Sequence, residues 1–190
     1  MKLVKLKLKN FRCYQTETEF HVDDLTAIIG KNDIGKSTIL EALDGFFNDK
    51  VEQNDLSNNA DSSSVEITCY FEGIPDEIVL DTTSPTSPEE EGILNSDGQL
   101  EVKKIFTFAA RRSTAIYLIA NYPSDERLTN LLSKKNTPLK NYADELGIDL
   151  EGVNRRKNPP IRQRIRDYVG GERSIQEIKV DGNIDNEDNI

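Results

Sequence analysis

The stretch Leu25-Thr26-Ala27-Ile28-Ile29-Gly30-Lys31-Asn32-Asp33-Ile34-Gly35-Lys36-Ser37-Thr38-Ile39-Leu40-Glu41-Ala42-Leu43 changes hydrophobic period at its middle, and that change sets the fold. Leu25–Ile29 is a short apolar run stopped by Gly30, which predicts a strand buried on both faces. After Gly35, the residues Ile39, Leu40, Leu43, Phe46 and Phe47 recur at helical spacing, with Glu41 and Asp44 on the other side. That pattern predicts an amphipathic helix, ended by Asn48-Asp49. Between strand and helix lies Gly30-Lys31-Asn32-Asp33-Ile34-Gly35-Lys36-Ser37, which fits G-x-x-x-x-G-K-[ST].

The spacing has a chemical reason. Backbone N–H groups must turn inward around a polyphosphate, and the bends need glycine dihedrals. The loop must then enter a helix whose first amides and dipole favour an anion. Lys36 supplies a mobile ammonium for the β- and γ-phosphates. Ser37 offers a hydroxyl to Mg2+, a cation that prefers oxygen ligands and keeps several waters. Thr38 is expected near the α-phosphate. A strand before and a helix after separate this motif from a chance glycine-rich turn. Gly30 to Thr38 is therefore the expected nucleotide site, with ATP and Mg2+ as cofactors.

Outward from this centre, the opening residues alternate Val4, Leu6 and Leu8 with Lys5, Lys7 and Lys9. This is a strand whose lysines would guard an open edge. Further strands are expected at Thr16–Phe20, Val65–Phe71, Gln99–Phe108 and Thr114–Ala120, the last two antiparallel across the Arg111-Arg112 turn. Residues 73–99 read as loop with a helical turn near Asp76–Leu80. Beyond them come a short helix capped by Ser124, one over about 138–147, and one from Pro159-Pro160 to Gly170-Gly171. The resulting organisation is an ATP-binding lobe over 1–123, a helical segment over 124–171 and an acidic tail over 172–190.

The chain has 190 residues, 34 acidic against 24 basic, for a net charge of −10. No apolar run approaches the ~18–20 residues of a membrane span, and the opening lacks the hydrophobic region of a signal peptide. A cytoplasmic chain without membrane contact is expected. Cys13, Cys69 and His21 make neither a disulfide framework nor a metal-ligand spacing. Charge is unevenly spread. Six acids face two bases after Gly171, whereas Arg155, Arg156, Lys157, Arg162, Arg164 and Arg166 carry +6 with no acid among them. On a helix Arg162 and Arg166 share a face while Ile161, Ile165 and Tyr168 turn inward. The patch reads either as a DNA-phosphate contact or as a solvated face that balances the acidic tail.

Lys9-Asn10-Phe11-Arg12, followed by the stretch quoted first, resembles the amino-terminal ATPase segment of the RecF/SMC group of ABC-type ATPase heads. The Asn-Asp-Ile-Gly-Lys-Ser variant most resembles the OLD (overcoming lysogenization defect) family of ATP-dependent endonucleases. Asn141–Ile148 and Ile161–Arg166 fit in pattern only. The resemblance implies an α/β fold: the amino-terminal lobe of an ABC-type P-loop ATPase head. Its mixed sheet would surround the P-loop helix and carry an antiparallel strand pair and a helical extension. It implies Arg12 reaching toward the nucleotide, a nucleotide-dependent homodimer or higher oligomer, DNA as partner, and DNA processing in phage defence. A nucleotide-gated scaffold or sensor holding an effector protein without nuclease activity is the alternative from another class. An SMC/RecF-like repair ATPase would need heptads, which do not run for three repeats here.

Such a head also needs an acidic Mg2+ ligand at a strand end, a carboxylate to polarise water, a Ser-Gly-Gly signature and a switch histidine. Ile78-Val79-Leu80-Asp81 is too short and sits in a Pro-rich loop. Gly170-Gly171-Glu172-Arg173-Ser174 inverts the signature, and His21 precedes the loop. Asp181, Asn183 and Asp185 alternate like a Ca2+ loop but lack its sixth-position glycine. The chain is therefore expected to be the first part of a larger head, whether a fragment or a natural split subunit. Alone it should hydrolyse ATP far below the ~1 per second of an ordinary enzyme. A phosphate-release assay that found ordinary turnover would show the missing groups to be present after all.

Overall fold

The computed structural model describes residues 1–30, 35–80 and 85–180. They form two compact units, Met1–Gly73 with Glu101–Ile116, and Ile74–Leu100 with the chain from Tyr117 onward. The strands are β1 (Lys2–Lys9), β2 (Thr18–His21), β3 (Ser64–Glu72), β4 (Leu100–Phe108), β5 (Arg112–Pro123) and β6 (Arg173–Val180). The helices are α1 (Lys36–Asn48), α2 (Pro88–Glu91), α3 (Asn136–Glu145) and α4 (Asn158–Val169). The strands form one antiparallel sheet in the order β2-β1-β3-β4-β5-β6. Among the described residues no helix is long and apolar enough to cross a membrane.

In the first unit, β1 lies between β2 and β3, antiparallel to both. Its lysines therefore guard no edge, contrary to the expectation from alternation. Lys7 pairs with Glu17 and Glu19, Lys9 with Glu66, and the Lys5 ammonium stands 4.0 Å over the Tyr70 ring. Leu6 and Leu8 point the other way into the core. There α1 buries Ile39, Ala42 and Phe46, with Phe46 6.4 Å from Phe71. Gly45 permits this close seat, since a Cβ there would lie 2.6 Å from Val51 Cγ2.

The carboxyl end of α1 has no base in its own last turn, so other elements supply the cations. Lys104 Nζ on β4 lies 3.0 Å from Asp49 Oδ1, and Arg112 Nε on β5 donates to the Val51 carbonyl at 3.1 Å. Lys104 can be buried because it is paired.

Leu25–Ile29 corrects the sequence reading. These residues belong to no strand, and Leu25 and Ile29 are each 91% exposed. A strand buried on both faces needs a hydrogen-bonded neighbour along each edge, and none of the described strands lies alongside. The expected mixed sheet is accordingly an antiparallel one.

The second unit holds two further corrections. Residues 173–180, read as part of an acidic tail, form β6, where Ile178 and Val180 are buried while Glu177 and Lys179 face out. The helical turn expected at Asp76–Leu80 falls instead at α2. There the Ser87 hydroxyl accepts from the Glu90 amide, Pro88 opens the turn and Gly92 closes it at φ 67°.

That turn carries Glu91 into the interior, and α4 answers it. Arg162 Nε donates to Glu91 Oε1 at 3.0 Å and Arg166 Nη1 to Oε2 at 2.7 Å, while Thr86 Oγ1 donates to Oε1 at 3.2 Å. Arg166 Nη2 also reaches the Glu90 carbonyl at 2.9 Å. The helix face assigned to DNA is thus turned inward at Arg162 and Arg166, and Tyr168, expected inside, is 60% exposed. The cause is electrostatic. A carboxylate without water needs cationic donors, and two guanidinium groups outcompete a tyrosine for that interior position. Replacing Glu91 by Gln should cost about 3–5 kcal/mol in urea unfolding, because it strands two buried cations. The exposed neighbour Glu89→Gln should stay within about 0.5 kcal/mol of the parent.

Candidate nucleotide-binding site

Of the expected loop, Lys31, Asn32, Asp33 and Ile34 lie outside the described residues, while Gly30, Gly35, Lys36, Ser37 and Thr38 lie within them. Gly35 is the N-cap of α1 at φ 88° and ψ 16°, in the left-handed region. A Cβ on it would sit 2.5 Å from Cys13 Sγ and 2.9 Å from Tyr14 Oη. Dihedral and space both demand glycine here. The helix it opens has neither a side-chain cap nor an acid in its first turn. Its leading amides and positive dipole end are left for an anion.

Lys36 folds back over this end, with Nζ donating to the Gly30 carbonyl at 2.8 Å. The ammonium therefore ties the first residue of α1 to the first residue of the loop. Ser37 is exposed and Thr38 is buried. Together these residues fit a polyphosphate: a bare helix start, a glycine turn, a held ammonium and an open hydroxyl. Among the described residues no group of three His, Cys, Asp or Glu side chains could hold a metal ion. Ser37 would offer its hydroxyl to a Mg2+ ion beside the phosphates.

Arg12 reaches the same helix from a tight turn. Asn10 and Arg12 adopt φ 56° and 51°, and Phe11 and Tyr14 exchange backbone hydrogen bonds at 3.0 and 2.8 Å. Three consecutive side chains are thereby aimed at α1. Tyr14 Oη donates to the Gly35 carbonyl at 3.1 Å, Cys13 packs on the same glycine, and Arg12 pairs with Glu41 one turn beyond Ser37. Asp55 holds Arg12 on its other side, at 2.8 Å from Nε, and the Asp55 carbonyl accepts the Arg12 amide at 2.7 Å. The hydrogen bond that Arg12 donates to Asp55, with Glu41 adding to it, raises the pKa of the guanidinium further. Burial raises that of Tyr14, which keeps its hydroxyl a donor.

Asp55, Tyr14 and Glu41 are site residues that sequence reading did not assign. Asp55 follows α1 in a polar loop, and only its three-dimensional contacts distinguish it from its neighbours. Of the weaker candidates, His21 is exposed beside Glu19 at 3.2 Å and Gly170 simply ends α4. Asp81, Asp181, Asn183 and Asp185 lie outside the described residues. In the basic stretch Arg155, Arg156, Lys157 and Arg164 are exposed, whereas Arg162 and Arg166 are not.

The Asp55 carboxylate also accepts the Glu52 amide at 2.9 Å, closing a single 3-10 turn over Gln53–Asp55. Asp55→Ala should therefore cost about 1–3 kcal/mol in denaturant unfolding. Asp55→Asn should recover most of that loss, since its oxygen still accepts. Equal losses in the two variants would assign the contribution to charge instead.

Residues 1–188 match the profile of a family described as an AAA ATPase domain. A stretch of 78 residues is 36% identical to the OLD nuclease of Thermus scotoductus, and the match covers 37% of this chain and 14% of that protein. The chain spans well under two thirds of that relative's length. The nucleotide-binding geometry, the family profile over nearly the whole chain and the OLD likeness agree: this chain belongs to the AAA ATPase domain family and is an OLD-like amino-terminal ATPase segment.

Proposed function

We propose that this chain is the ATP–Mg2+-binding amino-terminal part of an OLD-like ATPase, one that dimerises on nucleotide and couples that state to DNA processing in phage defence. The observation that carries the nucleotide reading is the start of α1, where Gly35 is left-handed, no acid neutralises the helix and Lys36 lies across the loop. On binding, Lys36 exchanges the Gly30 carbonyl for phosphate oxygens. Ser37 turns its hydroxyl toward the metal ion, and the Tyr14 hydrogen bond keeps the Gly35 carbonyl directed away from the phosphates. Arg12, parked on Glu41 and Asp55, stands ready as a second cation beside the helix.

Assembly with further polypeptide is supported by Leu25–Ile29. An apolar run that feeds straight into the phosphate loop is exposed, at 91% for both Leu25 and Ile29, although its composition suits a buried strand. The DNA-processing part of the reading is supported by the name of the Thermus scotoductus relative, a nuclease.

Lys36→Ala removes the ammonium that lies across the loop. With charge-assisted hydrogen bonds worth about 1.5–3 kcal/mol, ATP affinity should fall about 10- to 100-fold. Titration with a fluorescent ATP analogue reads this directly, and an unchanged affinity would contradict the site.

A further inference from the structure

Lys134-Lys135 and Arg155-Arg156-Lys157 are separated by twenty residues in sequence yet meet at one place. A single amide joins them. Asn136, the first residue of α3, donates from Nδ2 to Oδ1 of Asn158, the first residue of α4, at 2.9 Å, and to the Arg155 carbonyl at 3.1 Å. The two basic segments, each leading into a helix, are thereby stitched side by side. Lys135, Arg155, Arg156 and Lys157 are exposed, and the half-buried Lys134 rests 5.0 Å above the Tyr142 ring.

Many cations of the described residues are answered by acids within the fold. Lys2, Lys7, Lys9, Arg12, Lys50, Lys103, Lys104 and Arg127 all have acidic partners, as do the two buried arginines of α4. Among the described residues, no salt bridge involves Lys134, Lys135, Arg155, Arg156 or Lys157. Glu90 and Glu91 border the cleft that Lys157 also lines, and Glu91 is already taken by the two arginines. Position makes the clustering costlier. Lys135 and Lys157 are the N-caps of α3 and α4, neither helix has an acid in its first turn, and a base near a helix start is unfavourable by about 0.3–1 kcal/mol. Repulsion of this kind is relieved by an external anion.

The chemistry of that anion can be narrowed. Pro159 and Pro160 lack N–H groups, so α4 offers no cup of amides for a single phosphate. Recognition falls to five long side chains drawn from two joined segments, which suits repeated charges. An acidic protein surface would call for aromatic or aliphatic anchors as well. Among the described residues, the exposed large apolar ones are Met1, Leu25, Ile28, Ile29, Leu40, Phe47, Val79, Tyr168 and Ile175, none within either basic segment. We propose that Lys134, Lys135, Arg155, Arg156 and Lys157 form a surface that binds the phosphodiester backbone of nucleic acid without reading base sequence. The proposal gives a location to the DNA contact of the reading above and uses no part of the nucleotide site. It also revises the patch read from sequence: Arg162 and Arg166 drop out to Glu91, Arg164 is held by the Asp149 carbonyl at 3.2 Å, and Lys134-Lys135 enter.

The test uses the full chain and a labelled 20-base-pair duplex of arbitrary sequence, with binding followed by fluorescence anisotropy from about 50 to 200 mM salt. Each neutralised phosphate contact contributes a slope of about −0.9 to log K against log salt. Lys134→Ala with Lys135→Ala should therefore flatten the slope by about 2, and the Arg155→Ala, Arg156→Ala, Lys157→Ala triple by about 3. Both variants should bind at least about 10-fold more weakly at low salt, and a second duplex of different sequence should behave like the first. Arg164→Ala should leave affinity and slope as in the parent. Unchanged binding in both patch variants overturns the proposal. So does displacement of the duplex by a poly-glutamate peptide of equal charge and equal affinity, which would make the occupant an acidic protein. Lys36→Ala serves to separate the two readings, since it should lose ATP and keep the duplex. Patch variants should keep ATP and lose the duplex.

Discussion

The absence of a side chain at Gly35 is the constraint on which the candidate nucleotide site depends. The turn that ends β1 presses Cys13 and Tyr14 against this residue so closely that a single added carbon would collide with both. Because Tyr14 also bonds the Gly35 carbonyl, the first strand and the first helix are locked at one point, with the phosphate loop strung immediately before it. Arg12, from the same turn, grips the helix again at Glu41. The Asn10–Tyr14 turn and the start of α1 at Gly35 are thus held together, though β2 lies between them in the chain.

The electrostatic plan of α1 is asymmetric. Its carboxyl end is served by Lys104 and Arg112 from neighbouring strands, which satisfy Asp49 and the Val51 carbonyl. Its amino end has no side-chain cap and no acid in its first turn. A helix stabilised by protein at one end and left open at the other keeps its full field for a ligand. The second unit follows the opposite rule at Glu91, where every charge is answered internally and nothing is left for solvent.

Period was the most readable property of the sequence. The alternation of Val4, Leu6 and Leu8 located β1, and the spacing of Ile39, Leu43 and Phe46 located α1, because local repeats encode local structure. The same signal misled at Leu25–Ile29, since an apolar run states a need for burial and does not state what supplies it. It was silent at β6, where Arg173, Glu177 and Lys179 mask the inward residues. The basic stretch was half legible. Its charge could be counted, but the partner of Arg162 and Arg166 is an acid in a Pro-rich loop some seventy residues earlier. Lys134-Lys135 joins the remainder only through the fold of Asn136 onto α4. Arg12 was noticed by likeness alone. Asp55, which positions it, carried no pattern at all.

The open run at Leu25–Ile29 has a further consequence, for solubility. Five successive uncharged residues, without proline and rich in β-branched side chains, make a segment able to pair edge to edge with its own copy. Asp23 and Asp24 precede it, Lys31 follows it, and Lys2 ties Asp24 down at 2.8 Å. In parallel, in-register stacking of identical copies these charges would meet their own kind at each end, which opposes that pairing. The run therefore lies between charges of opposite sign, acids before it and a lysine after it.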